Sequence, residues 1–248
     1  TGTFASTVTG NGNDLALNFT GTTVIDGDFT GIGALSSGGG GTTELSGTIT
    51  TAGSQSFTDT ITLTGATTLT SSGNAAISLA GTVGGAQDLV VNTGGTTSFG
   101  GAVSIASLAT NAGGTTALNG GTVTTTGSQA YGDAVTLGAD TMLTGTDGSF
   151  GSTIAGAGND LTFSFSGTTT LASGASGIGA LISNGGGATI LNGTVSTGAG
   201  GQNYSDAVTL GSNVILVSGG GGAITLGGTV GGAQTLTVNT TGTTTLGG

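Results

Sequence analysis

The sequence predicts an all-β fold, a parallel β-solenoid, and three observations support this prediction. The chain repeats itself about every 74 residues, with marker glutamines at Gln55, Gln129 and Gln202. A fixed period of this size is typical of stacked repeats, in which each unit packs mainly against its neighbours. Apolar residues alternate with Thr, Ser and Asn, and 57 glycines occur with no proline. Together these features favour short strands joined by tight glycine corners.

The predicted strands are the segments in which apolar and polar residues alternate strictly, such as Leu15–Phe19 and Val135–Leu137. This period of two indicates strands with one buried face, and branched Thr and Val side chains favour a pleated sheet. Glycine clusters such as Gly38–Gly41 separate the strands and supply the positive φ angles that corners need. The absence of proline leaves every backbone N–H free to donate in a continuous ladder. No segment has the 3.6-residue apolar period of a helix.

The length of one coil follows from a Gly-Thr-Thr-x-apolar motif. It begins at Gly21 and again at Gly41, and its later copies recur at almost the same spacing. A coil of about 20 residues would place these copies directly above one another, with three to four coils in each unit. At ~4.8 Å per coil the rod would be on the order of 50–60 Å long. The leucines that we expect inside the rod include Leu45, Leu63, Leu118, Leu137, Leu191 and Leu210.

We expect one continuous solenoid over residues 1–248, because a stacked coil has a single elongated core. Its units cover approximately residues 8–82, 83–153 and 154–229, followed by a partial unit at 230–248. Residues 82–101 match residues 229–248 at 15 of 20 positions, so two kinds of unit alternate along the sequence. Both ends have ordinary repeat sequence, and we therefore expect a segment of a longer array.

The charge of the chain is entirely negative. Eleven acidic residues and no basic ones give a net charge of −11, which excludes an electrostatic nucleic-acid site and an anchor to anionic membranes. The acids recur with the repeat, and we expect them to form columns along a solvated, solubilising surface. One such column contains the repeat markers Asp59, Asp133 and Asp206, and the other contains Asp14, Asp88 and Asp160.

The marker glutamines are followed, two positions later, by aromatic residues. We expect the glutamines to form hydrogen bonds at coil corners, because polar groups there need partners. The aromatic residues are Phe57, Tyr131 and Tyr204. We expect them to stack on a neighbouring coil, and the alternative is a platform that binds sugars.

Few residues are candidates for catalysis or metal binding. Without His, Cys, Lys and Arg, the protein has no serine or cysteine triad, Schiff base, arginine clamp or ordinary zinc site, so we expect no enzyme activity. Asp26 and Asp28, two residues apart on one strand face, are the best candidates for a carboxylate pair that hydrolyses polysaccharides. They are also the candidates for an isolated calcium ion. The alternative for both is a solvated loop, and we predict no other cofactor.

Three features carry a family resemblance. They are the segment GSQAYGDAVTLGADTMLTGT, which begins at Gly127, the Gly-Thr-Thr-x-apolar motifs, and the Gly/Thr-rich background without basic residues. The chain resembles the repeats of filamentous-haemagglutinin-like bacterial exoproteins over essentially its whole length. The resemblance implies a right-handed parallel β-helix shaft of a large surface adhesin, secreted by a two-partner or autotransporter route. It implies no particular receptor.

We therefore expect a structural, non-catalytic shaft segment of a secreted bacterial surface adhesin or extracellular filament. The alternatives are an adhesin face that binds carbohydrate or a host or neighbouring cell, and a polysaccharide-acting β-helix hydrolase. A shaft needs only the fold, whereas a binding face needs a localised exposed patch and a hydrolase needs a groove with paired carboxylates. The expected partner is more solenoid, joined covalently or by end-to-end stacking, because open coil ends recruit strands. We expect neither nucleic acid nor membrane insertion.

Overall fold

The alternating segments form 31 strands, and each pairs in parallel with a strand about one coil away in the sequence. The computed structural model describes all 248 residues. The strands wind into a parallel β-solenoid of about 12 coils, which confirms the predicted all-β fold; the right-handed sense of the coil stays a prediction. The molecule has no helix, and hence none that could cross a membrane.

Each coil has three faces, and consecutive strand segments occupy the first, second and third face in turn. The strands of the first face alone are β1 (Gly2–Phe4), β4 (Thr22–Asp26), β11 (Val83–Gly84), β14 (Val103–Ile105), β17 (Thr122–Thr125), β20 (Thr141–Gly145), β23 (Leu161–Phe165), β28 (Ile224–Leu226) and β31 (Thr244–Leu246). Those of the second face alone are β2 (Val8–Thr9), β5 (Phe29–Ile32), β12 (Asp88–Asn92), β15 (Ser107–Thr110), β18 (Gln129–Tyr131), β21 (Gly148–Phe150), β24 (Thr168–Leu171) and β29 (Val230–Gly231).

The strands of the third face alone are β3 (Leu15–Asn18), β6 (Leu35–Gly38), β8 (Gln55–Phe57), β10 (Ile77–Leu79), β13 (Thr96–Phe99), β16 (Thr115–Leu118), β19 (Ala134–Leu137), β22 (Ile154–Ala155) and β30 (Leu236–Thr240). Five longer strands bend around a corner and contribute to more than one face. They are β7 (Thr42–Thr51), β9 (Thr60–Ser71), β25 (Ala175–Ser183), β26 (Ala188–Tyr204) and β27 (Ala207–Ser218).

The interior of the rod is one elongated core of 44 buried apolar residues. It forms because every second residue of a strand points inward, as the alternating burial of β16 and β19 illustrates. All six leucines that were expected inside are buried, which confirms that prediction: Leu45, Leu63, Leu118, Leu137, Leu191 and Leu210. The coils differ in length. Leu45 pairs with Leu63, 18 positions later in the sequence, whereas Ile61 pairs with Val83, 22 positions later.

The Gly-Thr-Thr motifs stack as their spacing predicted. Thr22 pairs with Thr42 on the first face, and the later copies pair in the same way on other faces. Their glycines lie at the corners, where backbone approaches backbone very closely. A Cβ atom on Gly41 would overlap the carbonyl oxygen of Gly21 on the adjacent coil. Glycine is therefore required there by close approach of the backbone to itself.

The 74-residue repeat does not contain a whole number of coils. Gln55 lies on the third face, Gln129 on the second and Gln202 on the first. Eleven strand segments separate equivalent positions, so each unit spans three and two-thirds coils. Successive units are therefore rotated by a third of a turn and rise by about 18 Å at ~4.8 Å per coil. The expected columns of acids are wrong for this reason, because each repeat places its residues on a different side of the rod.

Candidate functional site: buried polar clamps at the coil corners

The marker glutamine of each unit lies inside the rod and bridges two coils at a corner. In the middle unit, the Nε2 atom of Gln129 donates to the carbonyl oxygens of Val123 at 3.1 Å and Thr144 at 2.9 Å. These acceptors belong to adjacent coils on the first face. The hydroxyl of Tyr131 donates to Oε1 of Gln129 at 2.9 Å. We call this pair the glutamine clamp; it confirms the expectation that the glutamines bond at corners.

The other two units contain the same clamp, with one difference. Gln202 donates to two carbonyl oxygens at 3.0 and 2.9 Å and accepts from the Tyr204 hydroxyl at 2.9 Å. Gln55 makes the two carbonyl bonds at 3.1 and 2.9 Å. Its Oε1 atom is buried without a hydrogen-bond partner, because Phe57 has no hydroxyl. The first unit is therefore the one that carries an incomplete clamp.

The aromatic residues of the clamps are buried, as expected for stacking on a neighbouring coil. Tyr131 stacks on Phe150 of the next coil, with ring centroids 5.1 Å apart and planes 12° from parallel. A sugar-binding platform requires exposed rings, and these rings are inside the rod. Burial raises the pKa of Tyr131 and of Tyr204, so both hydroxyls stay protonated and donate at neutral pH.

The marker aspartates form a second buried contact, the aspartate clamp. Asp133 accepts from the Gly114 N–H at 2.7 Å and from the Thr116 hydroxyl at 3.4 Å. Asp206 accepts from the N–H groups of Gly185 and Gly186 at 3.1 and 2.8 Å. In the first unit, Asp59 accepts from the N–H of Gly40 at 2.9 Å. Each aspartate thus binds the glycine loop of the coil beneath its own.

The expected solvated position is wrong for these three aspartates, which are all buried: Asp59 (5% exposed), Asp133 (1%) and Asp206 (6%). The physical reason is that a glycine loop turns its N–H groups out of the strand ladder, and these groups need acceptors. Burial raises the pKa of Asp133, and the hydrogen bonds from Gly114 and Thr116 lower it less than burial raises it.

A third group of polar residues, which the sequence pattern did not single out, lies at the corner of the aspartate clamp and bonds to Asp133 and Asp206 but not to Asp59. Two hydroxyl residues six positions apart bond to each other across the same corner. The pairs are Ser37–Thr43 at 2.9 Å, Thr110–Thr116 at 3.2 Å and Ser183–Thr189 at 2.8 Å. The sequence signal that could have identified these pairs was their spacing, because the first members of successive pairs are one repeat apart. Thr and Ser are so common in this chain that the signal is weak.

The seven remaining aspartates are exposed, and each also bonds to a neighbouring coil. Asp14, Asp140 and Asp147 accept from backbone N–H groups of the adjacent coil, at 2.8, 2.9 and 2.7 Å. Asp160 does the same at 2.7 Å, and Asp88 accepts from a serine hydroxyl at 2.6 Å. The aspartates therefore link coils in addition to supplying charge.

Asp26 and Asp28 flank a corner instead of sharing one strand face, so that expectation is wrong. Asp26 ends β4, Asp28 follows Gly27, and β5 then begins on the next face. The backbone turns between them at Gly27, whose φ is 143°. Asp26 accepts from the Ser46 hydroxyl and Asp28 from the Thr48 N–H at 3.1 Å. Both carboxylates are thus engaged with the next coil, and no group of three metal-ligating side chains forms in the molecule.

The surface has three shallow depressions. The largest two, about 300 and 290 Å³, are lined mainly by Ser, Thr, Gly and Ala. The third, about 170 Å³, lies beside Asp140 and Asp160, and it also contacts the exposed Met142.

The protein matches no protein-family model, no curated protein and no solved structure. The resemblance to filamentous-haemagglutinin-like repeats accordingly stays a prediction.

Proposed function

We propose that this protein is a non-catalytic shaft segment of a secreted bacterial surface adhesin or extracellular filament. The observation that carries the proposal is that the polar residues of the clamps link one coil to the next. The glutamine and aspartate clamps recur in each of the three complete units, are buried, and bond one coil to the next. Ten aspartates, all but one of the acids, accept hydrogen bonds from another coil. These residues serve cohesion along the axis, which is what a shaft requires.

The rotation of successive units supports the same proposal. A shaft is loaded from all sides, and each third of a turn brings the clamps to another corner of the rod. Asp59 is at the corner before the first face, Asp133 before the third and Asp206 before the second. Three consecutive units thus place clamps at all three corners. A binding face, in contrast, would concentrate its residues on one side.

The location can be tested with antibodies raised against the purified protein. They are applied to intact and to permeabilised cells of the source organism, and the bound label is located by electron microscopy. We expect label along thin fibres outside intact cells, removed when the antibody is absorbed with the purified protein. Label that is found only after permeabilisation contradicts the proposal.

The shaft role can be separated from a binding role with a glycan array and with cell-binding assays. The purified protein is fluorescently labelled at its amino terminus, because it has no lysine. We expect no saturable binding to glycans or cells. Saturable binding that free sugar or unlabelled protein competes away would establish an adhesin face in place of a shaft.

The proposed partner is more of the same solenoid, stacked coil on coil. Every clamp bonds along the axis, whereas the sides of the rod carry seven exposed aspartates and no base. Screening limits this repulsion to short range, ~8 Å at physiological salt. Electron microscopy of the purified protein should show rods or unbranched fibres one rod wide. Broad lateral sheets of rods would contradict coil-on-coil stacking.

A further inference from the structure

Four Asn-Gly pairs occur in the sequence, at Asn11, Asn119, Asn184 and Asn192. In such a pair the glycine nitrogen can attack the Cγ atom of the asparagine. A bond forms between that nitrogen and Cγ, and the glycine nitrogen gives up its proton to solvent water. The bond between Cγ and Nδ2 breaks, the Nδ2 group takes up a proton and leaves as ammonia, and a five-membered succinimide results. Water then opens the ring to aspartate or isoaspartate. The reaction needs only water, and it needs a glycine nitrogen that is free to attack.

Three of the four glycine nitrogens are held by hydrogen bonds. The Gly12 N–H donates to the carbonyl oxygen of Gly31 at 2.6 Å. The Gly185 N–H donates to the carboxylate of Asp206 at 3.1 Å. The Gly193 N–H donates to the hydroxyl of Ser212 at 3.1 Å. Attack by any of these nitrogens would first require the loss of its hydrogen bond.

The exception is the pair Asn119–Gly120, at the corner between β16 and β17. The Gly120 N–H donates no hydrogen bond, and Asn119 is exposed. Exposure alone does not distinguish this pair, because Asn11 and Asn184 are exposed as well. The free glycine nitrogen does. We propose that Asn119 is the site at which the folded protein deamidates, with solvent water as the second reactant.

The product would disturb this corner. The Nδ2 atom of Asn119 donates to the Ser98 hydroxyl on the neighbouring coil at 3.2 Å, and conversion to a carboxylate removes that donor. Isoaspartate would also lengthen the backbone by one carbon. Gly120 has no room for it, since even a Cβ atom there would overlap the backbone of Gly101. Deamidation would therefore loosen the stacking of this corner as the rod ages.

The test follows the folded protein during incubation at 37 °C and mildly alkaline pH. Cleavage after Leu118 and Tyr131 releases a peptide, residues 119–131, in which Asn119 is the sole asparagine. We expect the first mass increase of one unit in this peptide, with isoaspartate detected by enzymatic methylation. In the Asn119→Gln variant, the early mass increase of this peptide should be absent. Equal or faster deamidation at any other pair, or a folded protein that keeps Asn119 intact, overturns the proposal.

A second variant tests the protecting role of the hydrogen bonds. Ser212→Ala removes the acceptor of the Gly193 N–H and leaves a smaller side chain at a partly exposed position. We expect deamidation of Asn192 to accelerate about five-fold, which is the factor that the net contribution of one hydrogen bond corresponds to. An unchanged rate at Asn192 overturns the hydrogen-bond argument.

Discussion

At the scale of single residues, the three glutamine clamps can be compared by the partner of the glutamine Oε1 atom. Gln129 and Gln202 have a tyrosine hydroxyl on Oε1, and Gln55 has none. A buried acceptor without a partner costs more than a hydrogen bond contributes, because its desolvation is not offset. The tyrosine hydroxyls therefore complete a network that the glutamines alone leave open.

The first prediction exchanges the two kinds of clamp. Tyr131→Phe should lower the free energy of unfolding by ~1–2 kcal/mol, because it leaves Oε1 of Gln129 buried and unpaired. Phe57→Tyr should raise the free energy of unfolding by ~1 kcal/mol, because it supplies the missing donor. Urea unfolding of each variant against the parent measures both values. Equal changes of the same sign in the two variants would contradict the role given to the hydroxyl.

The second prediction concerns the pH dependence that Asp133 creates. Its pKa in the folded protein is raised by burial, so protonation favours the folded state. This contribution to stability is fully present below the ordinary carboxyl pKa of about 3.9 and is lost as pH rises through the folded-state pKa. Asp133→Asn keeps the size of the side chain and removes the ionisation. We expect the urea midpoint of the variant to exceed that of the parent at pH 7 and to match it at pH 3.

A useful control for Asp133→Asn is Asp147→Asn, because Asp147 is exposed and also accepts a backbone N–H. The control should show no gain at pH 7. If both variants gain equally, the effect comes from the reduction of net charge and not from burial.

At the scale of strands and corners, glycine has two separate functions. Gly41 needs its missing Cβ because Gly21 lies against it, whereas Gly40 has open space around it and a φ of 86°. The first requirement is steric, and the second concerns backbone conformation. The two residues are adjacent in one loop, which makes them a matched pair.

The third prediction uses this pair. Gly41→Ala should cost several kcal/mol, because the added methyl overlaps backbone that cannot move without opening the coil stack. Gly40→Ala should cost only ~1–2 kcal/mol, the usual penalty for a left-handed conformation outside glycine. Urea unfolding gives both values. A larger loss for Gly40→Ala would mean that conformation, and not close approach, determines the choice of glycine in this loop.

The alternation of apolar and polar residues was sufficient to predict the strands, the core leucines and the stacking of the Gly-Thr-Thr motifs. It could not predict the burial of Asp59, Asp133 and Asp206, because that burial depends on a glycine loop one coil earlier in the sequence. The position of Asp26 and Asp28 around a corner was missed because Gly27 reads as an ordinary strand residue in the alternating pattern. The rotation of the units was hidden by the uneven length of the coils.

At the scale of the whole molecule, two periods coexist, that of the single coil and that of the longer sequence repeat. They coincide only after three units, when eleven coils have brought the first clamp back to its original corner. The contributions of the two periods to stability can be separated by deletions that preserve one period and break the other. The strand ladders are continuous from coil to coil, whereas each clamp is formed by residues of a single unit.

The last prediction compares two internal deletions, one that preserves the sequence repeat and one that preserves the coil. Deletion of residues 53–126 removes one repeat unit and joins Ala52 to Gly127. Gln129 and Asp133 then occupy the places of Gln55 and Asp59, so every clamp is complete, although all later residues are rotated by a third of a turn. Deletion of residues 52–112 removes three whole coils and keeps every later strand on its face. It takes away Gln55 and Asp59 without a replacement.

We expect the unit deletion to fold into a rod that is shorter by about 18 Å at ~4.8 Å per coil, measured by small-angle scattering. The three-coil deletion leaves the carbonyl oxygen of Ile49 and the N–H of Gly40 without the partners that they have in the parent. Its free energy of unfolding should therefore be lower than that of the unit deletion by ~1–3 kcal/mol, because the carbonyl oxygen of Ile49 is left buried and unpaired. The N–H of Gly40 is exposed and can bond to water instead. If the three-coil deletion were instead the more stable, the faces of the coil would matter more than the clamps. The repeat unit would then be a trace of duplication without a role in cohesion.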